Sequence, residues 1–140
     1  MIITRDDAFK VVCELRTPLS ESQYNVGTGM FVSSSVDENK IRGWILTASH
    51  VACETTNFTQ IIIATKGGKS ENLPLSMFGK ITDWKYHKTA DISILPIHFT
   101  DENMKFMENR FFPLNHFNLE HKPVSRDYEL TAIGFPHGLG

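Results

Sequence analysis

Val26-Gly27-Thr28-Gly29-Met30-Phe31-Val32-Ser33, a polar stretch at 34–40, and Gly43-Trp44-Ile45-Leu46-Thr47 together decide how this chain reads. Two β-rich runs flank a polar turn, which is the pattern of a hairpin. The two glycines of the first run suit a bulge or a sharp bend. Ahead of it, Phe9-Lys10-Val11-Val12-Cys13-Glu14-Leu15-Arg16 alternates imperfectly, with Phe9, Val11, Cys13 and Leu15 on one face. Its stop is Thr17-Pro18, because proline has no amide to donate to a ladder. It reads as a first strand.

Short apolar runs continue downstream. Thr59-Gln60-Ile61-Ile62-Ile63-Ala64-Thr65 is rich in β-branched residues and meets a loop at Gly67-Gly68. The stretch 73–86 is long enough for one bent strand or two, with Gly79 placed for a kink, and Asp91-Ile92-Ser93-Ile94-Leu95-Pro96-Ile97 reads as a strand ending at or beside Pro96. Residues 100–110 form the helix candidate, since Asp101, Glu102 and Asn103 suit a first turn and Met104, Phe106 and Met107 offer apolar contacts. A last strand is expected at Tyr128-Glu129-Leu130-Thr131-Ala132-Ile133-Gly134-Phe135-Pro136. Short strands with turn punctuation and no repeat predict an all-β antiparallel barrel or sandwich.

Composition limits the function. With 140 residues the chain fits one domain, and 41% hydrophobic against 21% charged residues suffices for a core. Fourteen Lys and Arg against 16 Asp and Glu provide no broad basic surface, so nucleic acid is not an expected partner. No apolar run reaches the ~18 residues of a membrane span, and acidic Asp6 and Asp7 stand where a secretory signal would be apolar. Membrane association is therefore not expected, and a cytoplasmic location is. Cys13 and Cys53 are too few for a disulfide framework and lack C-x-x-C spacing, so two buried free thiols are expected.

Six histidines are candidates for chemistry: His50, His87, His98, His116, His121 and His137. The close pairings, His50 with Cys53 and His116 with His121, lack a second matched pair of ligands, so neither metal nor cofactor is expected. Most of the six read as ordinary surface or loop residues. His50 stands apart, because Trp44-Ile45-Leu46-Thr47-Ala48-Ser49-His50 delivers an imidazole off the end of a buried strand through small residues. A histidine held that way can act as a general base. Asp91 opens an apolar strand, where a carboxylate needs hydrogen-bonded company. It reads either as a turn aspartate or as the carboxylate that orients a catalytic imidazole.

In order, these segments resemble the trypsin-like (chymotrypsin-fold) serine peptidases. Val26-Gly27-Thr28-Gly29-Met30-Phe31-Val32 resembles the family's glycine-containing strand, and Leu46-Thr47-Ala48-Ser49-His50-Val51 its T-A-[AS]-H histidine motif. Ala90-Asp91-Ile92-Ser93-Ile94-Leu95 is similar to the D-[IL]-[AS]-[ILV]-L aspartate motif, and Ala132-Ile133-Gly134-Phe135-Pro136-His137-Gly138 to the opening strand of the second barrel. The resemblance implies a six-stranded antiparallel Greek-key barrel over 1–125 and the start of a second, truncated barrel over 126–140. It implies His50 as general base and Asp91 as orienting carboxylate of a serine endopeptidase acting on a protein or peptide substrate. No serine here stands in the family's G-[DN]-S-G-[GS] setting, so the nucleophile is expected in a carboxy-terminal barrel beyond this chain, and the 140 residues alone are expected to be inactive. Val51 also stands where secreted members place a cysteine, so their bridge is not expected; a pairing of Cys13 with Cys53 stays open. The alternative is a non-catalytic pseudo-peptidase barrel serving as a protein-binding module.

Overall fold

The computed structural model describes residues 5–37 and 40–117. Its elements in chain order are α1 (Arg5–Val11), β1 (Val12–Pro18), β2 (Tyr24–Asp37), β3 (Lys40–Thr47), α2 (Ser49–Ala52), β4 (Gln60–Ala64), β5 (Ser70–Pro74), β6 (Lys85–Tyr86), β7 (Ser93–Pro96), α3 (Asp101–Met107) and β8 (Phe112–Pro113). The strands form one eight-stranded sheet in the order β5-β4-β1-β2-β3-β7-β6, antiparallel throughout except for β8, which pairs parallel with β2. The ladder is not closed, and β5 and β6 stand at its two ends. The all-β expectation holds at this level.

Register explains where the core sits. Leu15 pairs with Gly27 on one side and Ile61 on the other, and Ile61 in turn pairs with Leu73. Across the sheet, Ile45 pairs with Phe31 and with Leu95. Directly paired residues share a face, so the alternation in six strands projects these side chains into one cluster. Cys13, Ile63, Leu75 and Phe78 complete it, with Phe31 and Phe78 ring centroids 6.5 Å apart. Helix α1 lies beside β1, β2 and β4, and the alternate residues Val12 and Glu14 of β1 are buried as well. Glu14 is fully buried, and its carboxylate accepts from Nε and Nη2 of Arg16 at 3.1–3.2 Å.

Several expectations are corrected. The chain is helical over Arg5–Val11, and the first strand begins at Val12, so Phe9 and Val11 do not belong to its alternation. The break in the hairpin ladder falls between Ser35 and Asp37, while β1 and β2 pair without a shift from Val12↔Met30 to Pro18↔Tyr24. Gly27 and Gly29 therefore make no bulge. They clear space: a Cβ on Gly29 would lie 3.0 Å from Cys13 Sγ, and one on Gly27 only 2.5 Å from Val51 Cγ1. The 73–86 stretch resolves into two strands, β5 beginning earlier at Ser70 and β6 at Lys85, joined by short 3-10 turns at Leu75–Met77 and Ile81–Asp83. Gly79 sits between those turns, where a Cβ would meet the Pro96 carbonyl oxygen at 2.7 Å.

Strand β7 runs to Pro96, as read from the sequence, but Asp91 lies two residues ahead of it rather than at its first position. Helix α3 falls inside the expected window. Thr100 Oγ1 accepts from the Asn103 amide while Asn103 Oδ1 accepts from the Thr100 amide, so the first turn closes a reciprocal capping box. The expected strand at 128–136, the boundary at 125/126, His121 and His137 lie outside the described residues. Among the described residues, no helix is long and apolar enough to cross a membrane.

Candidate functional site

Strand β3 ends at Thr47, whose Oγ1 donates to the Thr28 carbonyl oxygen at 2.8 Å and so ties the end of β3 to β2. Two small residues follow, and the chain turns into α2, a single turn with Ala48 at its N-cap. Ala48 has no side-chain oxygen to cap the first free amides, which such a turn must satisfy elsewhere. Asp91 supplies the acceptor. Its Oδ1 accepts the His50 backbone N–H at 2.9 Å, and its Oδ2 lies 2.5 Å from His50 Nδ1.

The far end of α2 is anchored too. Thr55 Oγ1 donates to the Ala52 carbonyl oxygen at 2.6 Å and accepts from Trp84 Nε1 at 3.0 Å. Ser49 Oγ and Ser93 Oγ, 2.7 Å apart, join the start of α2 to the start of β7. Val51 fills the space left by Gly27, so α2 rests directly on β2. A bulkier residue at position 27 would push away the segment that carries His50.

These contacts determine the protonation geometry of the pair. The ring N–H of His50, then its backbone N–H, hold the Asp91 carboxyl below the ordinary aspartate value, so it is ionised at neutral pH and can only accept. The His50 nitrogen facing it must therefore carry the hydrogen, leaving Nε2 of the neutral ring with a free lone pair. The side chains are 75% and 56% exposed, so water screens their attraction and the pair adds little to fold stability. Its value is in orientation. Alongside His50 lies a cleft of about 340 Å³ lined by Asn25, Val26, Gly27, Val51 and Glu54 among others.

Both site residues singled out from the sequence are thus brought together from positions 41 apart in the chain. Asp91 has the hydrogen-bonded company expected of it, although it is exposed and not desolvated. The other described histidines, His87, His98 and His116, do not join them, and no group of three His, Cys, Asp or Glu capable of holding a metal ion exists among the described residues. Cys13 is buried and its thiol is pushed up to about 12 by burial, but Cys53 is exposed, which corrects the expectation of two buried thiols. Both are free, and Cys53 Sγ donates to the His50 carbonyl oxygen at 3.4 Å. The Ser49–Ser93 contact was not foreseen from the sequence. Serine at both T-A-S-H and D-I-S positions was the available signal for it.

No family model, curated protein or solved structure matches the chain.

Proposed function

We propose that this chain carries the general-base half of a trypsin-like serine endopeptidase, with His50 as base, Asp91 as orienting carboxylate and the nucleophilic serine supplied from outside the described residues. The observation that carries this reading is the two-point grip of one carboxylate on His50, 2.9 Å at the backbone and 2.5 Å at Nδ1. The Nδ1 contact sets the tautomer that leaves Nε2 free, and the backbone contact holds the carboxylate in place beside the ring, which is what a general base requires.

The fold supports the same reading. Strand order β4-β1-β2-β3 places the fourth strand beside the first, the arrangement of a Greek key. Residues 75–84 link the two end strands of the sheet, and the Phe78 carbonyl oxygen accepts the His98 N–H at 2.8 Å, a contact compatible with the proposed barrel. In the proposed reaction, His50 Nε2 takes the proton of a serine hydroxyl as its oxygen attacks the peptide carbonyl. The imidazolium is stabilised by Asp91 and returns the proton to the amine as the C–N bond breaks. Water then hydrolyses the acyl ester by the same route.

A second reading is the non-catalytic protein-binding barrel, in which the cleft of about 340 Å³ lined in part by His50 would receive a segment of another protein. A fluorophosphonate probe separates the two. The product of the whole reading frame should be labelled at one serine, and His50→Ala should abolish labelling. A full-length product that neither reacts nor cleaves a casein substrate would leave the binding module in its place.

A further inference from the structure

His87 hydrogen-bonds along the loop that carries Asp91. Its backbone N–H donates to the Ile92 carbonyl oxygen at 2.9 Å, extending the β6–β7 ladder by one step beyond Tyr86↔Ser93. Its ring Nδ1 accepts the Ala90 backbone N–H at 2.9 Å and the Thr89 N–H at 3.2 Å. The loop from 88 to 91 is therefore held at both its base and its tip by one residue, and Ala90 is the residue immediately before Asp91.

The chemistry is that of an Asx turn made with an imidazole. In Asn and Asp the side-chain oxygen is attached at Cγ and accepts from amides two and three residues on. Nδ1 of histidine is attached at the same atom, and here it takes the same amides. A ring nitrogen accepting from amide N–H groups carries no hydrogen of its own. His87 and His50 thus use Nδ1 in opposite senses, the first as acceptor toward its own loop and the second as donor toward Asp91. The result is a continuous path from the His87 ring through the Ala90 amide to the carboxylate that grips α2.

We propose that His87 is a positioning residue for the Asp91–His50 pair, its ring fixing the backbone direction from which the Asp91 carboxylate reaches both the backbone N–H and Nδ1 of His50. The inference rests on the general-base reading of that pair. It assigns His87 no contact with substrate.

The test reads the tautomer of His50 from its ring ¹⁵N shifts in the 140-residue protein at one fixed neutral pH, together with amide exchange at Ala90. Wild type should hold the Nδ1–H form, and Asp91→Asn should move the ring toward the Nε2–H form. His87→Ala should speed Ala90 exchange by about tenfold and move the His50 ring toward the Asp91→Asn position. His87→Asn, which keeps an acceptor on Cγ, should restore both, whereas a merely structural loop residue would not move the His50 tautomer. An unchanged His50 ring in His87→Ala, with Asp91→Asn shifted, would overturn the positioning role alone, as would failure of His87→Asn to rescue. Identical ring shifts in wild type and Asp91→Asn would remove the pair itself and the inference with it.

Discussion

The inward face of the sheet and the rim at α2 are built from neighbouring residues by opposite physics. Inside, Leu15, Phe31, Ile45, Ile61, Phe78 and Leu95 are at most 2% exposed and hold one another by contact, with glycines where two chains approach too closely for a side chain. At the rim, His50 and Asp91 are water-exposed and are held by directed hydrogen bonds from the backbone and from each other. Packing energy therefore resides in one region and orientation in the other. A change in the interior should unfold the protein, and a change at the rim should leave a folded protein with its chemistry altered.

The sharpest expected separation lies at the rim. In the product of the complete reading frame, His50→Ala or Asp91→Asn should lower turnover by about 10⁴-fold while the urea midpoint stays where it was. Retention of full turnover in either variant would take that residue out of the catalytic set, and a large fall in midpoint would show that the rim carries packing energy after all. The interior should respond the other way. Phe31→Ala removes a ring that packs on both Phe78 and Phe111, and the expected loss is about 3–5 kcal/mol by urea denaturation. A loss below about 1 kcal/mol would mean that the core is not organised around this ring.

Cys13 gives the interior an alkaline pH signature. Its thiol is raised from 9.0 to about 12 by burial, so the unfolded chain releases the proton first as pH rises. Stability should be independent of this group below pH 9 and should fall between pH 9 and 12, by at most about 1.4 kcal/mol per pH unit. Cys13→Ala should flatten that limb of the stability curve. A wild-type curve with no such limb would place the thiol in contact with water. Exposed Cys53, by contrast, should react with a maleimide in the folded protein long before Cys13 does.

The smallest expected effect lies at the start of α3. Thr100→Ala breaks one arm of the α3 capping box and should cost about 1 kcal/mol, with no change in the His50 ring shifts. Asn103 gives this cap its reach into the core: it is fully buried and its Nδ2 also donates to the Met77 and His98 carbonyl oxygens at 3.0 and 2.7 Å. A measurable change at His50 would show that the helix and the rim are coupled.

Much of this organisation was legible in the residues. The 26–47 hairpin, the β-branched run that becomes β4, the stop at Pro96 and the capped helix all follow from local rules, because turn chemistry, proline and capping act within a few positions. The corrections have a common origin. Phe9 and Val11 fit the alternation of the strand that follows, but the chain is helical through Val11, where α1 lies beside β1, β2 and β4. Gly27 and Gly29 read as bend formers, since nothing local announces Val51 or Cys13 in the space beside them. His87 read as an ordinary loop histidine because its acceptor role depends on the path of the loop after it.

The linear order of side chains was enough for the class of fold, for the presence of an imidazole at the end of a buried strand, and for a carboxylate before another apolar run. These properties depend on periodicity and on neighbours a few residues away. Which strands pair, which glycines yield to which side chains, and the meeting of His50 with Asp91 were decided in three dimensions. Period-two alternation assigns a residue to a face but names no partner across the sheet, and contacts between distant residues form only when the whole register is set.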